Sequence, residues 1–449
     1  MTRLILTVSA CALVLAGPVP ALAQHQAPTA AVRAAVAPVT ADQRTAAVAA
    51  IIRAVETRYV FPERVPAIRD RLNEGLASGR YDVSDPAVFA ERLSDDLRES
   101  GQDGHMYLLH EPAQYAAAVT SDADPYDNPA FMAIWAAAAR RSNHGLSEMR
   151  ILPGNVRYLR VSTFHWVQDR TGEAYDDAVR FLREGDAVII DLRGNGGGDH
   201  AAVRYLLSHF MEPDELDMTF LEAGKEPVQS RTLDHVPAGR LTGKPLYVLT
   251  SRQVGSAAEA FAYSVQKFHL GTLVGGRTGG AANNNTFVPI APGFMLSVSY
   301  GRPVHPVTGS NWEGTGVEPD VAVDPTTALE TATALALETL LARTDADPVD
   351  RAGWEWAWVA AAARVRPVTI ASERLQALAG TYGGRAIVFE NGGLVWRRAN
   401  GPAARLLPLT GDGLFALENG DDRVRLRLTG DALELLRMDD PAPSRFPRD

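Results

Sequence analysis

The stretch that most constrains the fold of this chain is residues 244–268, with the sequence KPLYVLTSRQVGSAAEAFAYSVQKF. Its short apolar run, residues 246–249, is rich in residues that favour β-strands. A turn follows, and after Ser256 the apolar residues recur at helical spacing. This pattern predicts a strand, a tight turn and a helix, which together are a building unit of α/β folds.

Ser256 lies at the predicted junction of turn and helix, where two roles are open to it. Ser followed three residues later by Glu259 is the signature of a capping box at a helix N-terminus. A hydroxyl at this position also lies beside unpaired backbone N–H groups and the positive end of the helix dipole. Both features would stabilise the oxyanion formed if Ser256 attacked a carbonyl group. The stretch alone favours the cap, because capping residues are common.

Residues 1–23 have the pattern of a secretory signal peptide, with Arg3, an apolar run and the small-residue site Ala21-Leu22-Ala23. We predict cleavage after Ala23 and export to the periplasm or the medium. A lipoprotein signal at Cys11 is an alternative, but it leaves almost no apolar stretch before the cysteine. Because Cys11 is the only cysteine, the mature chain would contain no disulfide, catalytic thiol or thiolate metal ligand.

Several partners and cofactors are not expected. The formal net charge is −10 and no basic stripe is present, which argues against nucleic acid. No second apolar segment approaches the roughly 20 residues of a membrane-spanning helix. The histidines lack metal-binding spacing such as H-E-x-x-H, so we predict no metal and no cofactor.

The hydrophobic patterns divide the rest of the chain into five parts. They predict an Ala- and Pro-rich linker at 24–40, a three-helix bundle at 41–102, an α/β core at 103–343, a connector at 344–370 and a small antiparallel β domain at 371–449. Trp354, Trp356 and Trp358 lie in the connector, on a predicted helix.

Two further motifs are ambiguous by themselves. Asp103-Gly104-His105 predicts a turn before a strand, and a histidine there is usually an ordinary surface or capping residue. Residues 191–198, DLRGNGGG, follow an apolar run typical of a strand buried on both faces. This glycine-rich turn lacks the spacing of a nucleotide-phosphate loop. It is therefore either a tight turn or a source of backbone N–H donors for an oxyanion.

The motifs become specific as a set. The blocks AVIIDLRGNGGG, PLYVLTSRQVGSAAEAFAYSVQ, LVGGRTGG and WEGTGVEPDV lie in that order between residues 187 and 321. In order and spacing they resemble the tail-specific (C-terminal processing) serine peptidases, and a weaker resemblance extends over residues 41–341. The resemblance implies a mixed-sheet, crotonase-like (ClpP/crotonase) α/β core in which Ser256 is the nucleophile.

One departure indicates the branch of the family. The bacterial processing enzymes carry a Lys base 25 residues after the nucleophile, where this chain has Ala281, and no lysine follows Lys267. The stretch 111–145 is also too short for an inserted peptide-binding PDZ domain. The chain thus resembles the branch of the tricorn protease core and the interphotoreceptor retinoid-binding protein repeats. Its DGH-type block implies His105 as the general base.

The resemblance implies the remaining roles. By block position Glu313 would orient His105, with Glu318 and Glu259 as alternatives. The oxyanion hole would be formed by the backbone amides of Ala257 and of Gly197, with the adjacent Gly198 as the alternative to Gly197.

The expected function is a secreted serine peptidase that cleaves peptides or unfolded proteins through an acyl-enzyme. An alternative is a periplasmic carrier of apolar ligands or peptides on the same fold, as the resemblance to the retinoid-binding branch suggests. No nucleic acid and no stable membrane insertion are expected, and the chain could form oligomers.

Overall fold

The structure is a computed structural model that describes residues 37–449, except residues 121–127, 223 and 398–400. The predicted signal peptide and most of the predicted linker lie outside the described residues. Within the described part, no helix is both long enough and apolar enough to cross a membrane.

In the described part of the chain, three helices come first, helices and strands then intermingle, and a run of eight strands comes last. The helices are α1 Ala41–Arg58, α2 Val65–Ala77, α3 Pro86–Gly101, α4 Pro112–Ala118, α5 Pro129–Arg141, α6 Gln168–Arg183, α7 His200–Leu207, α8 Ala257–Lys267, α9 Ala328–Leu341, α10 Pro348–Val365 and α11 Ser372–Leu378. The strands up to the C-terminal region are β1 Tyr107–His110, β2 Leu146–Leu152, β3 Val156–Val161, β4 Ala187–Asp191, β5 Leu216–Glu222, β6 Val228–Arg231, β7 Leu246–Thr250, β8 Thr272–Gly275, β9 Asn284–Ile290, β10 Phe294–Val304 and β11 Val321–Ala322. The C-terminal strands are β12 Gly380–Tyr382, β13 Arg385–Glu390, β14 Gly393–Arg397, β15 Ala404–Pro408, β16 Leu414–Leu417, β17 Val424–Leu428, β18 Ala432–Arg437 and β19 Asp440–Pro447.

A six-stranded sheet forms the centre of the molecule, in the order β11-β8-β7-β4-β3-β2. All neighbours are parallel except β2 and β3, which form an antiparallel hairpin at one edge. Every residue of β4 and β7 is buried, because helices cover both faces of the sheet. The predicted mixed α/β fold is confirmed. The carboxyl ends of β4 and β7 lead into the glycine-rich turn and into Ser256, so both motifs lie at one edge of this sheet.

A second, antiparallel sheet has the order β1-β10-β5-β6, and β9 pairs with another part of the long strand β10. The N-terminal helices α1–α3 pack on this sheet and share its apolar core. The ring centroids of Phe89 on α3 and Phe294 on β10, for example, lie 5.5 Å apart. Because β1 begins just after His105, this packing sets the position of the histidine.

Two of the helices in this N-terminal layer, α1 and α3, begin where the sequence supplies side-chain caps. Thr40 and Gln43 form a capping box at the start of α1. Asp85 accepts hydrogen bonds from two backbone N–H groups of the first turn of α3, and Pro86 occupies the first helical position.

The C-terminal strands β12–β19 form an antiparallel meander in sequence order. Its ends meet, because Tyr382 on β12 forms an antiparallel bridge with Arg448. The resulting eight-stranded barrel encloses an apolar core that includes Phe415 and Leu426, both fully buried.

Helix α10 connects the barrel to the central core through its three tryptophans. Positions four apart lie on one face of a helix, whereas a position two away lies on the opposite side. Accordingly, Trp354 donates a hydrogen bond to Asp186 at 2.9 Å, and Trp358 donates to Glu338 of α9.

Trp356 points the other way, to the barrel. It donates to the Asp422 carbonyl at 2.8 Å, and the Arg425 guanidinium lies 4.0 Å from its ring centroid. The alternating tryptophans therefore hold α10 between the two bodies.

Replacing Trp356 should loosen the barrel without unfolding the core. Trp356→Ala removes a hydrogen bond and a cation–π contact, together worth about 1 to 2 kcal/mol. We expect faster limited proteolysis between residues 366 and 379 and a lower thermal midpoint for the barrel. Trp356→Phe, which keeps a ring under Arg425, is the control and should have a smaller effect. Equal cleavage rates in the wild type and Trp356→Ala would contradict this role.

Candidate functional site

Ser256 has an unusual backbone conformation at the start of α8. Its φ is 52° and its ψ is −123°, in a region that residues with a side chain rarely adopt. Such strain persists only where the surroundings enforce it, and it is concentrated at functional sites. Here the preceding Gly255 donates its N–H to the carbonyl of Asn195, which fastens the turn to the glycine-rich loop. The half-buried Ser256 is thus presented at a sharp turn between β7 and α8.

Glu259, one turn into α8, is the buried group that enforces this conformation. Its carboxylate accepts the Ser256 N–H at 3.0 Å, the Gly280 N–H at 2.7 Å and the Ala281 N–H at 2.8 Å, and it also accepts the Thr278 hydroxyl. Burial raises the pKa of Glu259 to about 7, although these donors oppose the shift. The carboxylate joins the serine turn to the loop at 278–281, and its bond to Ser256 is the main-chain half of the predicted capping box.

His105 lies in the turn between α3 and β1 and is almost fully buried. Asp103 accepts the His105 N–H at 2.9 Å, and Ser297 of β10 donates its hydroxyl to the His105 carbonyl. The ring atom Nδ1 is buried and has no hydrogen-bond partner among the described residues. Burial lowers the pKa of His105, and the nearby Asp103 carboxylate partly opposes that shift. The imidazole is therefore held neutral, as a general base requires.

Glu313 lies beside His105. Its carboxylate accepts backbone N–H groups from Gly104 at 3.3 Å, Asn283 at 3.0 Å and Ala282. Burial, and then the charge of Asp103, raise the pKa of Glu313, while the three N–H groups oppose the shift. The alternative residue Glu318 is exposed and forms an ion pair with Arg277.

Asp103 is a second carboxylate at this histidine, and sequence analysis did not assign it a role. Besides the His105 N–H, it accepts the side-chain amide of Asn283 at 3.0 Å. One side-chain nitrogen or oxygen atom from each of Asp103, His105 and Glu313 lies within 4.8 Å of the others. The signal in the sequence was its place two residues before His105, where an Asp side chain can bond to the backbone.

These three residues are the one set of three candidate metal ligands found among the described residues. Their carboxylates, however, already accept four backbone N–H groups. These hydrogen bonds use part of the acceptor capacity of both carboxylates.

The turn of His105 and the turn of Ser256 meet at the loop 278–283. A Cβ placed on Gly104 would lie 3.1 Å from the Cβ of Ala281. The Ala281 N–H in turn bonds to Glu259, which also holds Ser256. The structure thereby brings His105, Glu313 and Ser256 to the same loop. Ala281, at the position of the lysine in the processing enzymes, packs against the histidine turn.

The glycine-rich loop lies directly against Ser256. A Cβ on Gly197 would be 2.7 Å from the Ser256 Cβ and 3.2 Å from the Ala257 nitrogen, so only glycine fits there. The Ala257 N–H has no acceptor among the described residues. The Gly197 N–H, by contrast, donates to the Asn195 side chain at 2.9 Å. Gly198, the predicted alternative, has an N–H without an acceptor in the described part of the chain.

Comparisons with known proteins agree with these motifs. Residues 155–323 match the model of peptidase family S41. The carboxy-terminal processing protease CtpB of Bacillus subtilis is 28% identical over 181 residues, which cover 39% of this chain and 36% of that protein. The tricorn protease of Thermoplasma volcanium is 29% identical over 140 residues, covering 31% of this chain and 12% of that protein. The chain thus spans about a third or less of these relatives.

Solved structures that match this chain include mature CPAF, at 12% identity and a TM-score of 0.47, covering 68% of this chain and 99% of that one. The photosystem II D1 C-terminal processing protease has 18% identity and a TM-score of 0.41, covering 63% of this chain and 93% of that one. The matched family range contains Ser256, Glu313 and the glycine-rich loop, whereas His105 lies N-terminal to it.

Glu259 should be more important for stability than other carboxylates near the site. In Glu259→Gln an amide NH₂ would face backbone N–H groups that now donate to a carboxylate, which should cost about 1 to 3 kcal/mol. We expect a lower thermal midpoint and faster hydrogen exchange of the Gly280 and Ala281 amides. Glu318→Gln, at an exposed ion pair, is the matched control and should leave both unchanged. Unchanged exchange in Glu259→Gln would contradict the role of this carboxylate.

Proposed function

We propose that this chain is a serine peptidase with Ser256 as nucleophile and His105 as general base, since its residues 155–323 match the model of peptidase family S41. The observation that carries the proposal is the meeting of the strained Ser256 turn and the buried His105 turn at one loop, through Glu259 and Ala281. A serine and a neutral histidine brought together in this way suit acyl transfer.

In the proposed first step His105 removes the proton from the Ser256 hydroxyl as its oxygen attacks the carbonyl carbon of a peptide bond. The imidazole becomes positively charged in a buried place where the carboxylates of Asp103 and Glu313 lie close. Their charge stabilises this cation in surroundings of low dielectric constant.

The developing oxyanion would accept hydrogen bonds from the Ala257 N–H and from the glycine-rich loop. In the loop, Gly198 has a free N–H among the described residues, whereas Gly197 would have to give up its bond to Asn195. Gly197 therefore serves in this proposal chiefly by leaving space beside Ser256, or by exchanging that bond when substrate binds.

The tetrahedral intermediate collapses when the imidazolium returns its proton to the leaving amine. This step releases the first product and leaves an ester on Ser256. Water, deprotonated by His105, then attacks the ester and restores the free enzyme. Substrates in this proposal are peptides or unfolded proteins outside the cytoplasm, with export by the predicted signal peptide at residues 1–23.

Removing either reactive side chain should abolish turnover while the fold persists. We expect Ser256→Ala and His105→Ala to lower kcat by a factor on the order of 10³ or more on a peptide library. A fluorophosphonate probe should label the wild type at Ser256 and leave Ser256→Ala unlabelled. Ser251→Ala, five residues earlier, is the matched serine control and should keep both activity and labelling. Cleavage by Ser256→Ala would exclude the mechanism, and a folded wild type without labelling would favour the carrier.

The pH dependence should identify the base. Burial disfavours the charged imidazolium and lowers the pKa of His105 below its ordinary value near 6.5. Since the base must be neutral, kcat/KM should rise with pH and level off, with a midpoint below about 6.5.

Asp103→Asn tests the same histidine by removing a charge beside it. The Asp103 charge raises the pKa of His105, so its removal should move the midpoint to lower pH and lower the plateau. The exposed Glu318→Gln is the control and should leave the profile in place. A midpoint above pH 7, or one that Asp103→Asn does not move, would contradict His105 as the base.

A further inference from the structure

We propose that the outer edge of strand β2, residues Leu146–Leu152, pairs with the same strand of a second copy of this chain. The pairing would be antiparallel about a two-fold axis at Met149. It would join the two central sheets into one sheet that runs through both subunits. The proposal does not depend on the catalytic roles proposed above.

β2 is the last strand of the central sheet. It pairs with β3 on one side, and among the described residues no strand pairs with its other side. An uncovered edge offers backbone N–H and C=O groups to an approaching strand, and proteins usually protect such edges. The edge of β2 is therefore open to pairing with an external strand.

The side chains of β2 are unusually apolar for a free edge. Met149 is 46% exposed and Ile151 is 62% exposed. Residues two apart lie on one face of a strand, so these two form a small apolar strip. In the pairing about Met149, the methionine of each copy lies opposite its counterpart, and each Ile151 lies diagonally beside the other copy's methionine. The strip would be continuous across the axis and largely removed from water.

The opposite face of β2 explains why a second copy fits this edge. Its Glu148 and Arg150 are both partly exposed, and within one chain they form an ion pair at 3.0 Å. Antiparallel pairing about Met149 sets Glu148 of each copy opposite Arg150 of the other. The strand is thus complementary to itself in charge, and an unrelated strand would lack this match.

The sheet also has room for the partner. Arg150 lies over the ring of Tyr158 on β3, with its guanidinium carbon 4.4 Å from the ring centroid, and so stays close to the sheet surface. Helix α6 contacts both β3 and β2, but Met149 and Ile151 on β2 stay exposed. Paired strands lie about 4.8 Å apart, so the partner's β2 would cover these exposed side chains.

The contact is short, so the dimer should be weak and should depend on concentration. A bulge between Leu146 and Glu148 interrupts β2, so regular pairing spans fewer than its seven residues. This is at the small end of specific interfaces, and we expect association at about 10 to 100 μM chain. Analytical ultracentrifugation of the full mature chain over that range should detect a monomer–dimer equilibrium.

Charge reversal tests the register. Arg150→Glu places glutamates opposite each other twice across the axis, and Glu148→Arg does the same with arginines. Each variant alone should weaken dimerisation about tenfold or more. The double variant Glu148→Arg/Arg150→Glu restores both opposite-charge pairs and should dimerise like the wild type. An equimolar mixture of the two single variants should form a heterodimer.

Four outcomes would overturn the proposal. They are a wild type that stays monomeric throughout this range, a dimer that neither single variant weakens, single variants that remain monomeric when mixed, and a double variant that fails to dimerise although folded. Circular dichroism and thermal melting of every variant check the fold, which should be unchanged because both residues are partly exposed. Met149→Lys should weaken the dimer in both the wild-type and the double-variant background.

Discussion

The site depends on one buried carboxylate. Glu259 is fully enclosed and accepts hydrogen bonds from the Ser256 turn and from the loop at 278–281. A buried carboxylate is costly unless donors surround it, and here four donors do so. Because these donors belong to two separate segments, satisfying Glu259 also fixes where the segments lie. The strained conformation of Ser256 is thus maintained by the same bonds that position the loop facing the histidine.

The two carboxylates beside His105 have a different role from Glu259. Asp103 and Glu313 lie beside His105, where burial alone would keep the imidazole neutral and would oppose its protonation. In the proposed mechanism their charges stabilise a transient imidazolium, while the resting imidazole stays neutral. In the proposed peptidase, burial keeps His105 neutral and thus available as a base. The carboxylate charges then let it hold the proton until the amine leaves.

The two halves of the site belong to different layers of the molecule. Ser256 and the glycine-rich loop lie at the carboxyl edge of the central parallel sheet, whereas His105 precedes a strand of the antiparallel sheet on which α1–α3 pack. Their meeting at loop 278–283 therefore depends on how the two sheets pack. Substitutions far from Ser256, in the core between α3 and β10, should act on the site through the position of His105.

The local structure and the chemical types of the site could be predicted from the sequence. The periodicity of residues 187–268 predicted β4, β7 and α8, because buried strands and amphipathic helices have patterns that span only a few residues. Family blocks indicated Ser256, His105 and Glu313. The groups that surround these residues became known from the folded structure: Asp103 beside the imidazole, Ala281 against Gly104, and the Gly197 N–H on Asn195. These contacts join segments far apart in the chain or depend on backbone direction, and neither property follows from residue type or spacing.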